Sequence, residues 1–324
     1  MTWRWGVLGT GRIAATISAE LALVDGAQRW AVASRDGERA RAFAGSHGFA
    51  RSYGSYEGLV ADPDVDVVYV ATPHAQHLAA ARLALEAGKA VLVEKPFTTT
   101  QPDGSTLAAL ATARGLFCME AMWTRFLPNT EHLLELVAGG ALGEPRTVHA
   151  DIGWPVPVDE ASRFYSPALG GGAMLDGGVY AVALAHLVLG SPHEVHAVGS
   201  LAATGVDTDV SVLLGYAGGA SALLSTSIAS HRSRQAWVDC TDGWVELAGS
   251  FEQMPALRVH RGGRTEHVER RHVGRGYVHM LRHVQDCLAA GLTESPLWPL
   301  SSTLEVAHVM DRALGRIGAV TAEV

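Results

Sequence analysis

The chain begins with the stretch WRWGVLGTGRIAATISAEL at residues 3–21, which decides the fold of its first part. The apolar residues Trp3–Leu8 predict a buried strand, and the segment Ile13–Leu23 predicts a helix. The turn between them is rich in glycine, a residue that adopts backbone conformations closed to other residues. A strand, a glycine turn and a helix in this order are typical of the first unit of a doubly wound parallel sheet.

The turn itself reads GTGRIA at residues 9–14, which matches the G-x-G-x-x-A pattern of a dinucleotide-binding site. The first glycine permits a tight turn, the second lets the backbone approach a pyrophosphate, and the alanine lets the helix pack closely on the strand. The helix N-terminus presents N–H groups and the positive end of its dipole to the phosphates. An ordinary βα turn without a ligand is the alternative interpretation. The residues expected to bind the cofactor here are Gly9, Thr10, Gly11, Arg12 and Ile13.

Short apolar runs continue to alternate with helical patterns up to about residue 121. Strands are predicted at Arg29–Ala33, Val65–Ala71, Ala90–Val93 and Leu116–Met119, and helices at Glu38–Ser46, Ala75–Ala87 and Thr106–Ala113. Such alternation implies parallel strands joined by helical crossovers. We therefore predict an α/β protein whose N-terminal Rossmann domain, with a doubly wound parallel sheet, covers residues 1–121.

The pattern changes in the rest of the chain. Between Glu194 and Val268 several extended runs are separated by Gly-Gly and Asp-Gly turns, which favours a largely antiparallel sheet. We predict a C-terminal α/β domain with an open, mostly antiparallel sheet over residues 122–324. Its helices are predicted at Leu133–Ala138, Ala173–Leu189, Val278–Ala289 and Leu304–Ile317.

Composition limits the classes of function. The 324 residues are 48% hydrophobic and 18% charged, which is a globular balance, and the net charge of −8 argues against nucleic acid or an anionic membrane as the main partner. The three cysteines form no Cys-x-x-Cys pair, so neither a disulfide framework nor a zinc knuckle is indicated. We find no apolar run that we judge long enough to span a membrane and no signal peptide, and we expect a cytoplasmic protein.

The end of the second predicted strand bears on the choice of cofactor. An NAD-selective site usually has an acidic residue there, which holds the ribose 2′-hydroxyl. Here Ser34 and Arg35 follow the strand, and Arg39 lies one helical turn further on. A hydroxyl and a guanidinium suit a 2′-phosphate, so we predict NADP(H), while NAD stays possible because Asp36 comes next. A solvated surface arginine is the alternative interpretation.

Two further clusters carry reactive side chains. The strand at 90–93 ends in Glu94-Lys95-Pro96, which puts a lysine at the carboxyl end of a parallel strand, where ligands bind in such sheets. The segment GGGAMLDGGVY (170–180) opens a helix on which Asp176 and Tyr180 share one face. We expect the two glycines after Asp176 to leave that end uncovered, so that a flat ligand comes close. Taken alone, the first cluster is typical of a surface charge and the second of a glycine-rich helix start with a packing tyrosine.

In their order along the chain, GTGRIA, ATPHAQH (71–77), EKP (94–96) and LDGGVY (175–180) resemble the motifs of the glucose–fructose oxidoreductase and inositol dehydrogenase superfamily. Within it, MEAMWTRFLP (119–128), TGVDTDVSVLLGY (204–216) and ESPLWPL (294–300) are most similar to the dimeric dihydrodiol dehydrogenases and the related NADP-dependent D-xylose dehydrogenases. The resemblance extends over nearly the whole chain.

This resemblance implies an oxidoreductase that transfers hydride between nicotinamide and a carbinol or carbonyl carbon of a sugar, a trans-dihydrodiol or a dicarbonyl. It implies that Lys95 lies beside the nicotinamide ribose and the substrate hydroxyl, that Lys95–Pro96 is a cis peptide, and that Tyr180 transfers the proton while Asp176 orients the substrate. A free tyrosine has a pKa of about 10, and a neighbouring ammonium would favour its phenolate. Whether Tyr180 or Lys95 is the immediate proton donor stays open. Inositol-type members carry a histidine in place of Tyr180, which points to the dihydrodiol and pentose branch.

The same resemblance assigns further residues and a partner. Trp123 would form the pocket wall near the reacting carbon. Apart from the resemblance, the position of Phe164 beside a proline-rich loop just before the Asp176 helix predicts a substrate contact, and a packed surface loop is the alternative interpretation. The partner would be a second copy of the chain, in a homodimer or homotetramer formed through the C-terminal sheet. The residues expected around the nicotinamide half of the cofactor are Thr72, Pro73, His77, Glu94, Lys95, Trp123 and Arg125.

The sequence also admits three alternative interpretations of its site. His74 and His77 have a possible metal-ligand spacing, but no third ligand is near them in the sequence, and we expect no metal. NAD-assisted glycoside hydrolysis, in which a retained cofactor oxidises and re-reduces a sugar, is disfavoured by the serine and arginine after the second strand. A non-catalytic dinucleotide-sensing regulator would be free to lose Lys95 and Tyr180, and this chain keeps both.

Overall fold

The computed structural model describes residues 1–321, and contacts within the chain divide it into two compact units. The first unit comprises residues 1–98, 102–123 and 273–303, and the second comprises 99–101, 124–272 and the chain from 304 onward. The return of 273–303 to the first unit has no counterpart in the sequence analysis. The boundary between residues 121 and 122 as a division of function stays a prediction.

The first unit contains a six-stranded sheet in the order β3-β2-β1-β4-β5-β6. All five neighbouring pairs are parallel, so the predicted doubly wound Rossmann sheet is confirmed. The central strands are buried along their whole length because helices cover both faces, which explains their uninterrupted apolar sequences. The strands are β1 (Trp3–Leu8), β2 (Ala27–Ala33), β3 (Arg51–Tyr53), β4 (Val67–Val70), β5 (Ala90–Val93) and β6 (Cys118–Glu120).

The helices predicted for this part of the chain are present, with bounds that differ by a few residues. The short elements β3 and α3 were not predicted, because three and five residues carry too little periodicity to be recognised. The helices are α1 (Arg12–Leu21), α2 (Gly37–His47), α3 (Tyr56–Val60), α4 (His77–Glu86), α5 (Gln101–Arg114) and, after the return of the chain, α8 (Tyr277–Ala289).

The second unit contains an eight-stranded sheet in the order β14-β13-β12-β11-β7-β10-β9-β8. All pairs are antiparallel except β7 with β10, so the prediction of a mostly antiparallel sheet is confirmed. The strands are β7 (Pro145–Gly153), β8 (Glu194–Leu201), β9 (Asp207–Gly215), β10 (Ser221–Ser227), β11 (Ala236–Cys240), β12 (Gly243–Ala248), β13 (Ala256–Arg261) and β14 (Arg264–Val268). The inner strand β7 was not predicted, although Val148, Ala150 and Ile152 alternate with more polar neighbours.

The two faces of this second sheet differ. On one face the helix α7 (Val179–Leu189) packs against β7 and β10, and α6 (Pro128–Ala138) packs against α7. The other face carries exposed apolar side chains, among them Val198 (72% exposed), Leu213 (47%) and Leu223 (46%). The last helix, α9 (Leu300–Ile317), ends near β8, where Ile317 approaches Gly199.

The segment Pro167–Leu189 corrects one expectation. It is long and apolar enough to cross a membrane by length and composition, so the judgement that no run reaches that length is wrong. However, 72% of its most apolar window is buried inside the protein, as befits a core helix.

Asp62, in the loop before β4, ties the edge of the first sheet together. Its carboxylate accepts hydrogen bonds from Trp30 Nε1 (3.0 Å), Arg51 Nη1 (3.1 Å), the Tyr53 hydroxyl (2.8 Å) and the Asp64 N–H (2.9 Å). Burial raises the pKa of Asp62, but these hydrogen bonds and the charge of Arg51 outweigh it, and the pKa lies below its ordinary value of 3.8.

Asp62→Asn is expected to lower the free energy of unfolding by about 2 kcal/mol at pH 7, because it removes a charge that several donors share. Since the folded-state pKa is depressed, this stabilisation is complete above pH 3.8 and is lost as the pH falls through the folded-state value. Urea unfolding should therefore show a constant difference from the wild type above about pH 5 that shrinks as the pH falls below about 4. Asp64→Asn, at a more exposed neighbour, is the control, and an equal effect of both variants would contradict the role of Asp62.

Candidate active site

The glycine turn joins β1 to α1 at the carboxyl edge of the parallel sheet. Gly9 has a φ of +110°, and a Cβ at this position would lie 2.6 Å from the carbonyl oxygen of Ala71, so only glycine fits. At Gly11 an added Cβ meets no atom of residues 1–321 within 4 Å, so the backbone there borders open space. No side chain in the described part of the chain caps α1, and its first turn has no acidic residue. Its N–H groups and positive dipole end therefore suit the pyrophosphate of a dinucleotide.

The end of β2 carries the residues predicted to select the cofactor. Asp36 caps α2, since its carboxylate accepts hydrogen bonds from the N–H groups of Glu38 (3.0 Å) and Arg39 (3.1 Å). Burial raises the pKa of Tyr56, while the charges of Arg35 and Arg39 oppose this, so both guanidinium groups lie near its phenol. Because Asp36 caps the helix, the polar groups that remain for a ligand here are the two arginines and the buried Ser34. They fit a phosphate better than a ribose hydroxyl. The sequence analysis did not single out Tyr56.

Thr72 and His77 lie at the end of β4. Thr72 is buried, and its hydroxyl has no hydrogen-bond partner among residues 1–321, which fits a residue that bonds to a cofactor. His77 is fully buried, and its two ring nitrogens lie 2.8 Å from the Pro96 carbonyl oxygen and 3.0 Å from that of Thr72. Burial lowers the pKa of His77 to about 4, so the ring is neutral at pH 7 and donates one hydrogen bond. His77 thus lies between the carbonyl oxygens of Thr72 and Pro96 and donates a hydrogen bond to one of them.

Lys95 is the second residue after β5, and the Lys95–Pro96 peptide bond is cis, as the resemblance implied. Glu94, in front of it, is buried, and its carboxylate accepts hydrogen bonds from the Tyr69 hydroxyl and from the Lys95 N–H (3.1 Å). Burial raises the pKa of Glu94 to about 7 against the opposing effects of Tyr69 and the Lys95 charge. The backbone on both sides of Lys95 is therefore held by buried polar groups. The Lys95 side chain itself is half-buried.

Glu120, at the end of β6, supports the Glu94-Lys95-Pro96 turn through the hydrogen bonds of its carboxylate. Its carboxylate accepts hydrogen bonds from the Phe97 N–H (3.0 Å), Trp298 Nε1 (2.9 Å) and the Thr303 hydroxyl (3.0 Å). Burial raises the pKa of Glu120, and these donors oppose it. The sequence analysis gave Glu120 no role, although it stands at the end of a parallel strand as Lys95 does.

Trp123 and Arg125 lie in the short helical turn Trp123–Phe126. The Trp123 ring is buried and stacks on Tyr277 with 4.6 Å between ring centroids. Burial lowers the pKa of Arg125, while the carboxylate of Glu131 opposes this. Tyr277, the first residue of α8, was not predicted, because nothing in the sequence links it to residue 123.

In the second unit, Asp176 and Tyr180 belong to one continuous helical segment. It opens with a wide π-helical turn, Met174–Gly178, and continues as α7. Asp176 is buried and forms an ion pair with Arg163 (3.0 Å), whose guanidinium lies 3.9 Å from the centroid of the Phe164 ring. Phe164 and Asp176 thus belong to one cluster joined by Arg163. The sequence alone did not assign Arg163 to the site.

The two glycines after Asp176 require a correction. A Cβ at Gly177 would lie 3.1 Å from the Thr226 hydroxyl, and one at Gly178 would lie 2.5 Å from the Met174 sulfur. Both glycines therefore serve close packing of the helix on β10, inside the domain. The expectation that they leave the helix end uncovered for a flat ligand is wrong.

The predicted site residues thus form two groups. The first unit brings together the glycine turn, the ends of β2 and β4, and the Glu94-Lys95-Pro96 turn. The second unit brings together Phe164 and Asp176 and carries Tyr180 on the same helical segment. That Lys95 and Tyr180 act on one substrate stays a prediction.

Comparison with known proteins identifies the class. Residues 3–122 match the oxidoreductase family with an NAD-binding Rossmann fold, and residues 130–246 match the GFO/IDH/MocA C-terminal domain. The chain belongs to this family of NAD(P)-dependent oxidoreductases, and the predicted membership is confirmed.

Particular relatives narrow the comparison. The chain is 37% identical over 333 residues to a trans-1,2-dihydrobenzene-1,2-diol dehydrogenase of Bos taurus, with 98% of each chain covered. It is 36% identical over 334 residues to the protein of the same description from Homo sapiens, again with 98% of each chain covered. Among solved structures, it is similar to an aldose–aldose oxidoreductase from Caulobacter crescentus complexed with glycerol, with a TM-score of 0.89, 26% identity, and 98% and 97% of the two chains covered. It is also similar to a 3-ketoreductase from Actinomadura kijaniata in complex with NADP and TDP-benzene, with a TM-score of 0.86, 27% identity and 99% of each chain covered.

Arg35→Ala is expected to weaken NADPH binding roughly 10- to 100-fold, because a charge-assisted contact to the 2′-phosphate is lost, while NADH binding stays within about twofold. Fluorescence titration of both reduced cofactors measures this. Arg41→Ala removes an exposed arginine from α2, the helix that follows Arg35, and is the matched control. Equal weakening of both cofactors by Arg35→Ala would refute the assignment of Arg35 to the 2′-phosphate.

Proposed function

We propose that this protein is an NADP(H)-dependent dehydrogenase that oxidises one carbinol carbon of a trans-dihydrodiol or a sugar, and that reduces the corresponding dicarbonyl or keto-sugar in the reverse direction. The observation that carries the proposal is the Lys95 turn, which leaves β5 beside the glycine turn and Thr72 at one edge of an NAD-binding sheet. Relatives that match 98% of the chain are described as trans-1,2-dihydrobenzene-1,2-diol dehydrogenases, which supports the diol as substrate class.

Each proposed role follows from the chemistry of a side chain. When bound, NADP supplies the nicotinamide carbon that accepts or gives up the hydride. Tyr180 takes the proton from the substrate hydroxyl during oxidation and returns it during reduction. The ammonium of Lys95 stabilises the negative charge that develops on the substrate oxygen and favours the phenolate of Tyr180. The carbinol thereby becomes a carbonyl as one hydride and one proton leave it.

Asp176 would hold the second hydroxyl of the substrate. A buried carboxylate is costly unless it is paired, and Arg163 at 3.0 Å supplies the pairing charge. The Arg163–Asp176 pair is neutral in total, which favours a neutral polyol or diol over a sugar acid. Phe164, against the Arg163 guanidinium, and Trp123 would supply apolar walls for a ring.

Several solved structures describe the similar 3-ketoreductase. They include variants of that enzyme with a tyrosine replaced by phenylalanine and with a lysine replaced by alanine. A tyrosine and a lysine are also the two groups that we assign to the proton and to the developing charge.

The exposed face of the second sheet would pack against a second copy of the chain. This face holds a cavity of about 650 Å³, lined by apolar side chains such as Leu213, Leu223 and Trp237 together with His149 and Arg316. An exposed patch that combines apolar side chains with polar and charged ones suits the self-complementary contact of a twofold dimer. We propose a homodimer, and a cytoplasmic location that agrees with the free thiols of Cys118, Cys240 and Cys287.

Tyr180→Phe is expected to lower kcat at least about 100-fold, because the group that transfers the proton is lost, while NADP affinity stays near that of the wild type. The assay follows reduced nicotinamide absorbance with a trans-dihydrodiol, D-xylose and a dicarbonyl, each with both cofactors. Tyr216→Phe, at a buried tyrosine that follows β9, is the matched control. A near-wild-type rate for Tyr180→Phe would transfer the proton step to another group, and no turnover of any substrate by the wild type would refute the proposed activity.

Leu213→Glu combined with Leu223→Glu is expected to convert a dimer into a monomer, because two buried carboxylates would lack partners in the interface. Sedimentation velocity at micromolar concentration measures the change. Leu23→Glu, at a leucine of the first unit that is also 47% exposed, is the control and should leave the dimer intact. A monomeric wild type, or a dimer that survives the double substitution, would contradict the proposed interface.

A further inference from the structure

Asp207, the first residue of β9, lies on the buried face of its sheet, although the alternation of the strand predicts the outer face. The alternation of β9 puts Val210, Val212 and Leu214 on the buried face and Asp209, Ser211 and Leu213 on the outer face. By that alternation Asp207 would also lie on the outer face, yet it is only 2% exposed. The pairing explains this, because Ser200 of β8 lies opposite Asp209 while the next residue, Leu201, lies opposite Asp207. Thr208 is therefore an extra residue, and this β-bulge turns Asp207 inward.

The inward carboxylate holds the start of the helical segment that carries Asp176 and Tyr180. It accepts a hydrogen bond from the Met174 N–H (2.7 Å). A Cβ at Gly172 would lie 2.1 Å from Asp207 Oδ1, so the chain passes the carboxylate at a position that only glycine can occupy. From the other side, the Thr226 hydroxyl donates to the Ala173 carbonyl oxygen (3.1 Å).

This anchor lies directly before the functional side chains. The first turn after it, Met174–Gly178, is a wide π-helical turn, a geometry that is rarely stable by itself and is found at functional sites. Because helical segments move as rigid pieces, a shift at Ala173 and Met174 displaces Asp176 and Tyr180 together. Displacements of about 1 Å at a reacting group can change rates roughly 100-fold.

We propose that Asp207 is a positioning residue of the reaction, which fixes the start of the wide turn and thereby sets where Asp176 and Tyr180 lie, without touching the substrate itself. The inference rests on the proposed function of those two residues. It gives a role to the TGVD segment (204–207), which the cofactor and substrate assignments leave unused.

The surroundings of Asp207 make this anchor sensitive to pH. Burial raises the pKa of Asp207 to about 6, against the opposing hydrogen bonds from the N–H groups of Met174, Asp207 itself and Ala173. Its neighbours on β8 and on the helical side are Leu201 and Gly172, which do not titrate, and Asp209 turns away to Ser230 and Arg232. When the carboxyl group is protonated, one oxygen carries a hydrogen, and the group becomes a weaker acceptor for the Met174 N–H.

Activity and stability should then respond to acid in opposite directions. Loss of the anchor lowers kcat as the pH falls below about 6. The folded-state pKa is raised above the ordinary 3.8, so protonation favours the folded chain, and the contribution of Asp207 to stability increases as the pH falls from about 6 toward 3.8. A residue that merely supports the fold would not separate the two responses.

Asp207→Asn is the test, with Asp209→Asn as the matched control on the same strand. We expect Asp207→Asn to lower kcat roughly 10- to 100-fold with the KM for NADP within about twofold, and to abolish the fall of kcat near pH 6. Hydrogen–deuterium exchange at pH 7 should show faster uptake in the peptide covering 172–180 in Asp207→Asn, and wild-type uptake in Asp209→Asn. Wild-type kcat in Asp207→Asn, an unchanged pH limb, or equal effects of the two variants would overturn the proposal.

Two further arms keep the outcomes separable. Thr226→Val removes the second hydrogen bond to Ala173 without changing the Asp207 carboxylate, and is expected to lower kcat in the same direction should Asp207→Asn fold poorly. The exchange measurement needs no substrate. If the wild type turned over none of the substrates, the proposed function would fail, and unchanged exchange in Asp207→Asn would refute the anchor separately.

Discussion

The parallel pairing of β4 with both β1 and β5 is the constraint on which the first unit depends. Three strands that run in one direction must all end at the same edge of the sheet, so residues far apart in the sequence become neighbours there. The glycine turn, Thr72 and Lys95 each follow one of these strands. The helices that begin at this edge direct the positive ends of their dipoles toward it, which suits the phosphates of a dinucleotide.

That edge could function only if its buried polar groups were satisfied. Glu94, Glu120 and His77 are all buried, and each would be costly to bury without partners. Their partners are a phenol, an indole, a hydroxyl and several backbone groups, which draw β4, β5 and β6 and the segment around Trp298 into one hydrogen-bonded layer. Burial in this layer raises the pKa of Glu94 and lowers the pKa of His77. The layer holds the Lys95 backbone rigidly.

The second unit positions its reactive groups by a different device. Its antiparallel sheet does not bring strand ends to one edge, so one helical segment carries both Asp176 and Tyr180, and the sheet must hold that segment. Glycines at 172, 177 and 178 permit backbone-to-sheet approaches that a Cβ would prevent, and the bulge at Thr208 supplies an acceptor where regular alternation would not. The opposite face of the same sheet carries exposed apolar side chains and is the surface that we propose for association.

The sequence by itself determined those features whose cause is local. The sequence predicted the strand, glycine turn and helix at 3–21 and the alternation that implies parallel strands. It also showed the motifs around Lys95 and Asp176. These features could be predicted because periodicity and turn chemistry act between near neighbours. Most of the longer elements were therefore predicted, whereas β3 and α3, with three and five residues, carry too little periodicity to be recognised. The inner strand β7 was missed although its apolar residues alternate with more polar neighbours.

Tertiary structure alone decided the features that depend on distant partners. Gly177 packs against Thr226, Arg163 pairs with Asp176, Trp123 stacks on Tyr277, and a bulge turns Asp207 inward. None of these follows from neighbouring residues, because hydrogen bonding, ion pairing and close packing depend on which segments the folded chain brings within a few ångströms of each other.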